Sequence, residues 1–231
     1  PGAARKRDRP FASGTLPIRH GLLLIPCLAV VAFALAWPVG KAFTAWLAAY
    51  LVLTSLYSFW LKRVALIDCL TLAGLYMLRV IAGAAAAGVE LSFWLLAFSG
   101  FLFLSLAFVK RYAELLVVTG EVGTTTTVHG RGYVVADASS IQQFGVASGY
   151  GAVLVLALYL DSDAVALLYA TPALVWATVP VMLCWISWIW LCASRGRMHD
   201  DPLVFAFRDK ASLLAAALFG LALVLGSWAW S

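Results

Sequence analysis

Charge is what this sequence has least of. Only 12% of its 231 residues are Asp, Glu, Lys or Arg, about half the share usual in a soluble domain. With 64% hydrophobic residues, a soluble fold of this size has no room to hide the apolar surface, which excludes an ordinary water-soluble enzyme and leaves lipid as the solvent. Cysteine is also sparse: Cys27, Cys69, Cys184 and Cys192 all stand inside apolar runs. Their spacings fit neither a zinc site nor a disulfide framework, so they read as small lipophilic residues. No stretch alternates apolar and polar residues, and the apolar runs are too long for barrel strands, which excludes a membrane β-barrel. The basic segment before the first apolar run lacks a small-residue cleavage site and is followed by further spans, so it is not a signal peptide. No internal repeat is evident either, which speaks against a transporter built from repeated halves.

What is present is a series of apolar runs long enough to cross about 30 Å of hydrocarbon. Seven are expected to be transmembrane helices: His20–Pro38, Ala42–Trp60, Val64–Ala87, Ser92–Val109, Ile141–Leu160, Ala164–Leu191 and Ala211–Trp230. The sixth is long, and is either tilted or enters late at Pro172. The fold class expected is therefore an all-α, polytopic membrane bundle forming a single domain over residues 1–231.

The connecting segments sort by charge. Arg5, Lys6, Arg7, Arg9, Arg19, Lys62, Arg63, Lys110, Arg111, Arg131, Arg195, Arg197, Arg208 and Lys210 fall on one side, against Lys41 alone on the other. The positive-inside rule makes the cation-rich side cytoplasmic, and seven spans then put the C-terminus outside. The outer connections are short, whereas the inner ones at 110–140 and 192–210 are long and polar. Binding side chains belong on such an elaborated face.

Ionisable residues inside spans are costly and point to function by default. Asp68 and Arg79 share one helix face, eleven residues and about 16 Å apart, too far to pair with each other. Each either ties neighbouring helices together or supports a site. In YSFWLKR, Tyr57 precedes Lys62 and Arg63 at a helix end, which suits a lipid phosphate or diphosphate as well as a snorkelling anchor. In FVKRYAELL, Lys110 and Glu114 are i,i+4 neighbours beside Arg111, an arrangement open to a solvated helix end or an anion site. The loop TGEVGTTTTVHGRGYVVADASS offers Arg131 as a phosphate ligand and Asp137 as a magnesium or structural group. In RGRMHDDP, His199, Asp200 and Asp201 invite a metal, but Asp201 followed by Pro202 is better explained as a helix N-cap with proline at N1.

The segments RPFASG, YSFWLKRVALIDCLTLAGLYMLRVIAGAAAAG, FLFLSLAFVKRYAEL and GRGYVVADASSIQQFGVASGY occur in this order along nearly the whole chain. Together they resemble the UbiA superfamily of intramembrane prenyltransferases, and most closely its decaprenyl-phosphate phosphoribosyltransferase branch. The resemblance implies nine helices around a cavity open to the cytoplasm and to lipid. It also implies magnesium held by an N-D-x-x-D-x-x-x-D motif that precedes R-P-x-x-S-G. This chain has Arg9, Pro10, Ser13 and Gly14 but no such motif before them, so two helices and the first metal motif would lie upstream of Pro1, and the 231 residues alone are expected to be inactive. Where relatives that prenylate aromatic acceptors carry a second aspartate motif, this chain reads Lys110-Arg111-Tyr112-Ala113-Glu114. That departure favours transfer of phosphoribose from 5-phosphoribosyl diphosphate to a polyprenyl phosphate over prenyl transfer from a prenyl diphosphate to an aromatic or other acceptor.

By the same resemblance, Tyr57, Lys62, Lys110 and Glu114 are the catalytic candidates. Arg9, Arg63, Arg111 and Arg131 are the phosphate ligands, Asp68 and Arg79 the supporting polar groups, and Asp137 the candidate for a second metal. The implied cofactor is Mg2+. The implied partners are a polyprenyl lipid, a phosphorylated or diphosphate co-substrate and membrane lipids, with no nucleic acid. The implied location is a bacterial inner membrane with the active face cytoplasmic. The competing class, a small-molecule transporter, requires repeats and helices broken near the midplane.

Overall fold

A computed structural model describes residues 17–119, 132–198 and 201–228. Every regular element among them is helical. The long helices are α1 (Ile18–Ala36), α2 (Lys41–Phe59), α3 (Ile67–Ala87), α4 (Phe93–Thr119) and α5 (Ala138–Leu160). A short α6 (Asp163–Leu168) and α7 (Pro172–Val175) lead into α8 (Thr178–Ser194), and α9 (Pro202–Arg208) leads into α10 (Lys210–Ser227).

Six segments are long and apolar enough to cross a bilayer: Lys41–Phe59, Ile67–Ala87, Phe93–Val117, Val135–Leu160, Pro172–Ser194 and Lys210–Ser227. The protein is a multi-pass membrane protein. The first of the seven expected spans forms as the 19-residue helix Ile18–Ala36, whose apolar part among the fully described residues is Leu23–Ala36.

Three boundaries also move. The sixth span enters at Pro172, one of the two alternatives the sequence left open, because the proline occupies the first helical turn, where its missing N–H costs nothing. The third begins at Ile67 rather than Val64, after a 3-10 turn at Leu61–Arg63. The fourth, expected to end at Val109, runs on to Thr119, so the charged KRYAE stretch is helix interior and not a helix end. Hydropathy stops at Lys110, but the helix does not, because those charges find partners inside the protein.

The described contacts divide the chain into two units, Pro1–Val52 with Leu78–Glu90, and Leu53–Met77 with Leu91–Ser231. In the first unit most apolar side chains of α1 face outward, Leu23, Ile25 and Leu35 among them. That is the expected surface of a helix solvated by lipid. α3 closes at Gly88, whose positive φ of 66° supplies the left-handed residue a helix C-terminus favours.

The second unit holds the packed core, made by α4, α5 and α8. Gly145 and Gly149, four apart on α5, let its backbone approach closely. A Cβ on Gly145 would lie 2.2 Å from the Trp190 ring, and one on Gly149 would lie 2.7 Å from Ile186. Small residues at this spacing are how membrane helices pack without a hydrophobic driving force between them. Two buried hydrogen bonds tie the same three helices. Ser105 Oγ donates to the Gly145 carbonyl (2.7 Å) and accepts from the Trp190 indole N–H (3.1 Å).

The end of α8 is a Schellman turn. Gly196 N–H donates to Ala193 O and Arg197 N–H to Cys192 O, with Gly196 at φ 66°. The turn swings Arg197 back over the Trp188 ring at 5.8 Å. Asp209 caps α10 by accepting from Ser212 N–H, and also accepts from the Trp188 indole. Burial pulls the Asp209 carboxyl upward, but the two Ser212 bonds, Trp188 and Arg197 outweigh it and hold the group below its ordinary range.

Candidate functional site

The polar residues of the second unit gather where the start of α3 meets the last third of α4. Asp68 lies in the first turn of α3 and is fully buried. Its Oδ1 accepts from the Tyr57 hydroxyl at 2.8 Å. Its Oδ2 lies 2.6 Å from Arg111 Nη2, close enough to pair though off hydrogen-bond alignment. Arg111 Nη1 donates to Glu114 Oε2, one turn further along α4. One guanidinium therefore sits between two carboxylates, with its side chain 1% exposed and that of Glu114 35% exposed. Burying Asp68 and Arg111 together is tolerable only because each charge has an opposite neighbour.

The ring of Tyr133, itself buried, covers the Arg111 guanidinium at 5.7 Å, within cation–π range. Its hydroxyl accepts from the Leu66 N–H at 2.8 Å and meets Cys69 Sγ at 3.5 Å. Cys69 Sγ in turn donates to the Ala107 carbonyl at 3.9 Å. With that proton committed, the Tyr133 hydroxyl proton is the one that points at the sulfur. Burial, and then the bond with Cys69, raises Tyr133 well above the ordinary tyrosine range. The phenol stays protonated and available as a donor.

Leu66, the residue that Tyr133 holds, has φ 66°. A left-handed conformation costs a non-glycine residue about 1–2 kcal/mol. The segment before Tyr133 adds a second restraint. A Cβ on Gly132 would come within 2.5 Å of the Arg63 carbonyl oxygen, so only glycine fits against that turn.

Among the residues singled out from the sequence, the structure brings Tyr57, Asp68, Arg111 and Glu114 into this one cluster. Lys110 points elsewhere. Its Nζ pairs with Asp201 Oδ2 at 2.5 Å, the two side chains being 34% and 28% exposed. The expected Lys110–Glu114 neighbour pair is therefore replaced by two others, because Arg111 is better placed for Glu114 and the segment after α8 brings Asp201 to Lys110. Asp201 caps α9 as expected, accepting from Leu203 N–H at 3.1 Å, with Pro202 in the first turn.

Lys62 and Arg63 form the 3-10 turn beside the cluster, half-buried and exposed respectively, and make no ion pair with a described residue. Arg79 belongs to the other unit, where its Nη2 donates to the Tyr50 hydroxyl at 2.5 Å and its guanidinium lies 5.2 Å over that ring. Arg9 and Arg131 lie outside the described residues, as do His199 and Asp200.

No magnesium centre is assembled among the described residues. Asp137 Oδ2 accepts from the Val134 N–H at 2.9 Å, and among the described residues no three His, Cys, Asp or Glu side chains gather as a metal would require. Asp68 and Glu114 are both engaged with Arg111. No step is assigned to the ion.

Sequence reasoning missed Tyr133, Cys69 and the partnership of Lys110 with Asp201. Tyr133 stands in the GRGYVVADASS stretch, and its one signal is the glycine before it. Cys69 follows Asp68 directly, but a thiol in an apolar run carries no mark of its neighbours.

Comparison with known proteins bears on what such a cluster belongs to. The sequence profile of the UbiA prenyltransferase family matches residues 2–211. The chain is 34% identical to protein y4nM of Sinorhizobium fredii over 223 residues, covering 96% of this chain and 43% of that relative. It is 34% identical to nodulation protein NoeC of Azorhizobium caulinodans over 220 residues, covering 95% of this chain and 70% of NoeC. A shorter match, 36% over 114 residues, links 48% of this chain to 34% of decaprenyl-phosphate phosphoribosyltransferase of Corynebacterium glutamicum. The chain thus spans less than half the length of y4nM.

Proposed function

This chain belongs to the UbiA prenyltransferase family, and from that premise we propose that it transfers phosphoribose from 5-phosphoribosyl diphosphate to a polyprenyl phosphate at the cytoplasmic face of a bacterial inner membrane. The observation that carries the proposal is the placement of the cations. Arg111 is enclosed by carboxylates and Lys110 is paired with Asp201, whereas Lys62 and Arg63 stand on the adjoining turn without an ion-pair partner among the described residues. A polyanionic substrate has two cations waiting for it next to a network of fixed hydrogen-bonding groups. The partial match to decaprenyl-phosphate phosphoribosyltransferases supports the same branch.

In this reaction the bond from ribose C1 to the diphosphate oxygen breaks. A bond from C1 to an oxygen of the lipid phosphate forms, and diphosphate departs with the electron pair. Negative charge grows on the leaving group, so neutralisation and orientation matter more than a strong base. Lys62 and Arg63 supply the neutralisation. Glu114, the more exposed of the two carboxylates, is placed to accept from a ribose hydroxyl. Arg111 acts through Asp68 and Glu114 by holding both, a different role from the phosphate contact expected from the sequence. Lys110 joins the phosphate site on leaving Asp201. The polyprenyl tail lies along apolar helix surface open to the bilayer.

The test is diphosphate release from 5-phosphoribosyl diphosphate plus polyprenyl phosphate, using the full-length protein in detergent. Lys62→Ala is expected to lower turnover by roughly a hundredfold. Wild-type-like turnover in both Lys62→Ala and Lys110→Ala would sink these assignments. Stabilisation against heat by geranyl diphosphate and not by 5-phosphoribosyl diphosphate would transfer the protein to the prenyl-transferring branch.

A further inference from the structure

The turn from Leu61 to Leu66 presents Lys62 and Arg63. Its own backbone bonds, Arg63 N–H to Trp60 O and Val64 N–H to Leu61 O, close one 3-10 turn, Asp68 N–H to Val64 O joins it to α3, and Leu66 between them is left-handed. Two anchors come from a distant part of the chain. Tyr133 takes the Leu66 N–H on its hydroxyl, 67 residues away in sequence. Gly132 lies against the Arg63 carbonyl so closely that any side chain would collide with it. The Tyr133 hydroxyl is itself anchored by Cys69 on α3, and its ring by Arg111 on α4. One buried phenol therefore ties three things together: the turn with the two cations, the start of α3 and the carboxylate-bound arginine.

We infer that Tyr133 is a positioning residue for anion binding. With Gly132, it holds the Lys62–Arg63 turn in the shape that grips a phosphate-bearing group. The inference rests on the proposed use of Lys62 and Arg63 as phosphate ligands, and adds to it what sets their place. It assigns separate parts to the two halves of one side chain. The hydroxyl fixes the turn through Leu66, and the ring covers Arg111. Removing the hydroxyl alone should therefore weaken anion binding and leave the Asp68–Arg111–Glu114 cluster in place. The left-handed residue supplies a further handle. Glycine adopts that conformation without a steric penalty, so Leu66→Gly removes part of the need for the Tyr133 bond.

The experiment measures binding of two probes to the full-length protein in detergent: inorganic diphosphate with magnesium, and a polyprenyl phosphate in mixed micelles. Tyr133→Phe is expected to weaken the probe that this turn grips by roughly fivefold to tenfold, as one lost hydrogen bond would. Kinetically, KM for the corresponding substrate should rise while kcat stays within about twofold. Adding Leu66→Gly to Tyr133→Phe should recover most of the lost affinity. Gly132→Ala, which displaces the turn from the other side, should weaken the same probe. Loss in the diphosphate arm assigns the turn to the soluble substrate, and loss in the lipid arm assigns it to the acceptor.

Unchanged binding of both probes in Tyr133→Phe and Gly132→Ala would overturn the inference. So would a loss that Leu66→Gly does not repair, since a general loosening of the fold would behave that way. A wild-type protein that binds a probe with this mutational pattern but transfers no phosphoribose would refute the proposed reaction and leave the positioning role standing.

Discussion

Two arginines lie inside membrane-length helices of this protein, and their surroundings differ sharply. Arg79, near the middle of α3, is exposed, and Tyr50 of α2 offers it a hydroxyl and a ring. Arg111, on α4, is buried between Asp68 and Glu114 with Tyr133 over its face. By depth alone Arg79 is the costlier charge and the stronger functional candidate. The surroundings reverse that order. An exposed arginine with a tyrosine can be replaced without leaving a buried orphan, whereas Arg111 compensates Asp68, a carboxylate with no route to water, and also holds the partly exposed Glu114. The density of opposite charge around a group, more than its depth in a span, marks where the fold has invested.

The largest expected effect follows from breaking that asymmetry. Arg111→Met leaves Asp68 and Glu114 without their shared cation and should destabilise the protein by about 3–5 kcal/mol, seen as a collapse of folded yield or a much lower Tm in detergent. Arg79→Met should cost under about 1 kcal/mol in the same assay. Equal losses in the two variants would refute the contrast. Adding Asp68→Asn to Arg111→Met should restore part of the yield, because the buried carboxylate left without a cation is then gone.

A smaller effect is expected from Asp68→Asn alone. The amide keeps the shape and an acceptor for Tyr57 but removes the negative charge facing Arg111, for a cost of about 1–3 kcal/mol. Turnover should fall with it, since Tyr57 and Arg111 lose their common anchor. Full turnover with wild-type KM would show that Asp68 only ties helices together.

Most of the helices could be read from the sequence because hydropathy is strong and lipid enforces helical structure on any spanning segment. The errors have one physical source. Hydropathy registers where apolar residues stop, and α4 continues for ten residues beyond that point because Lys110, Arg111 and Glu114 are satisfied by partners. The site was legible as a set of residue types. Asp68 drew attention as an ionisable group inside a span, and Tyr57, Arg111 and Glu114 as members of charged clusters at expected helix ends. Their pairing was not legible, because which cation meets which anion depends on helix rotation and on segments as far as 91 residues away. Lys110 shows this best. On sequence it neighbours Glu114, and in space it meets Asp201.

The Lys110–Asp201 pair sits between the two arginines in expected strength. Both side chains are about one-third exposed, so solvent discounts the attraction. A double-mutant cycle with Lys110→Ala and Asp201→Asn should give a coupling of about 0.5–1 kcal/mol. Asparagine still caps α9, so the cycle isolates the charge. Coupling above about 2 kcal/mol would move this pair into the class of Arg111 and argue that Lys110 is structural and not free to leave for a substrate.

The smallest effect sharpens the other side of the contrast. Tyr50→Phe removes the hydroxyl that Arg79 donates to and keeps the ring beneath the guanidinium. Interhelical hydrogen bonds of this kind in membranes contribute about 0.6 kcal/mol on average, because the membrane-embedded unfolded chain also finds partners. A shift of that size in Tm, with turnover unchanged, is the expected result. If Tyr50→Phe instead abolished turnover while the Tm held, Arg79 would have to be reassigned from helix tether to functional group, and burial would no longer separate the two arginines.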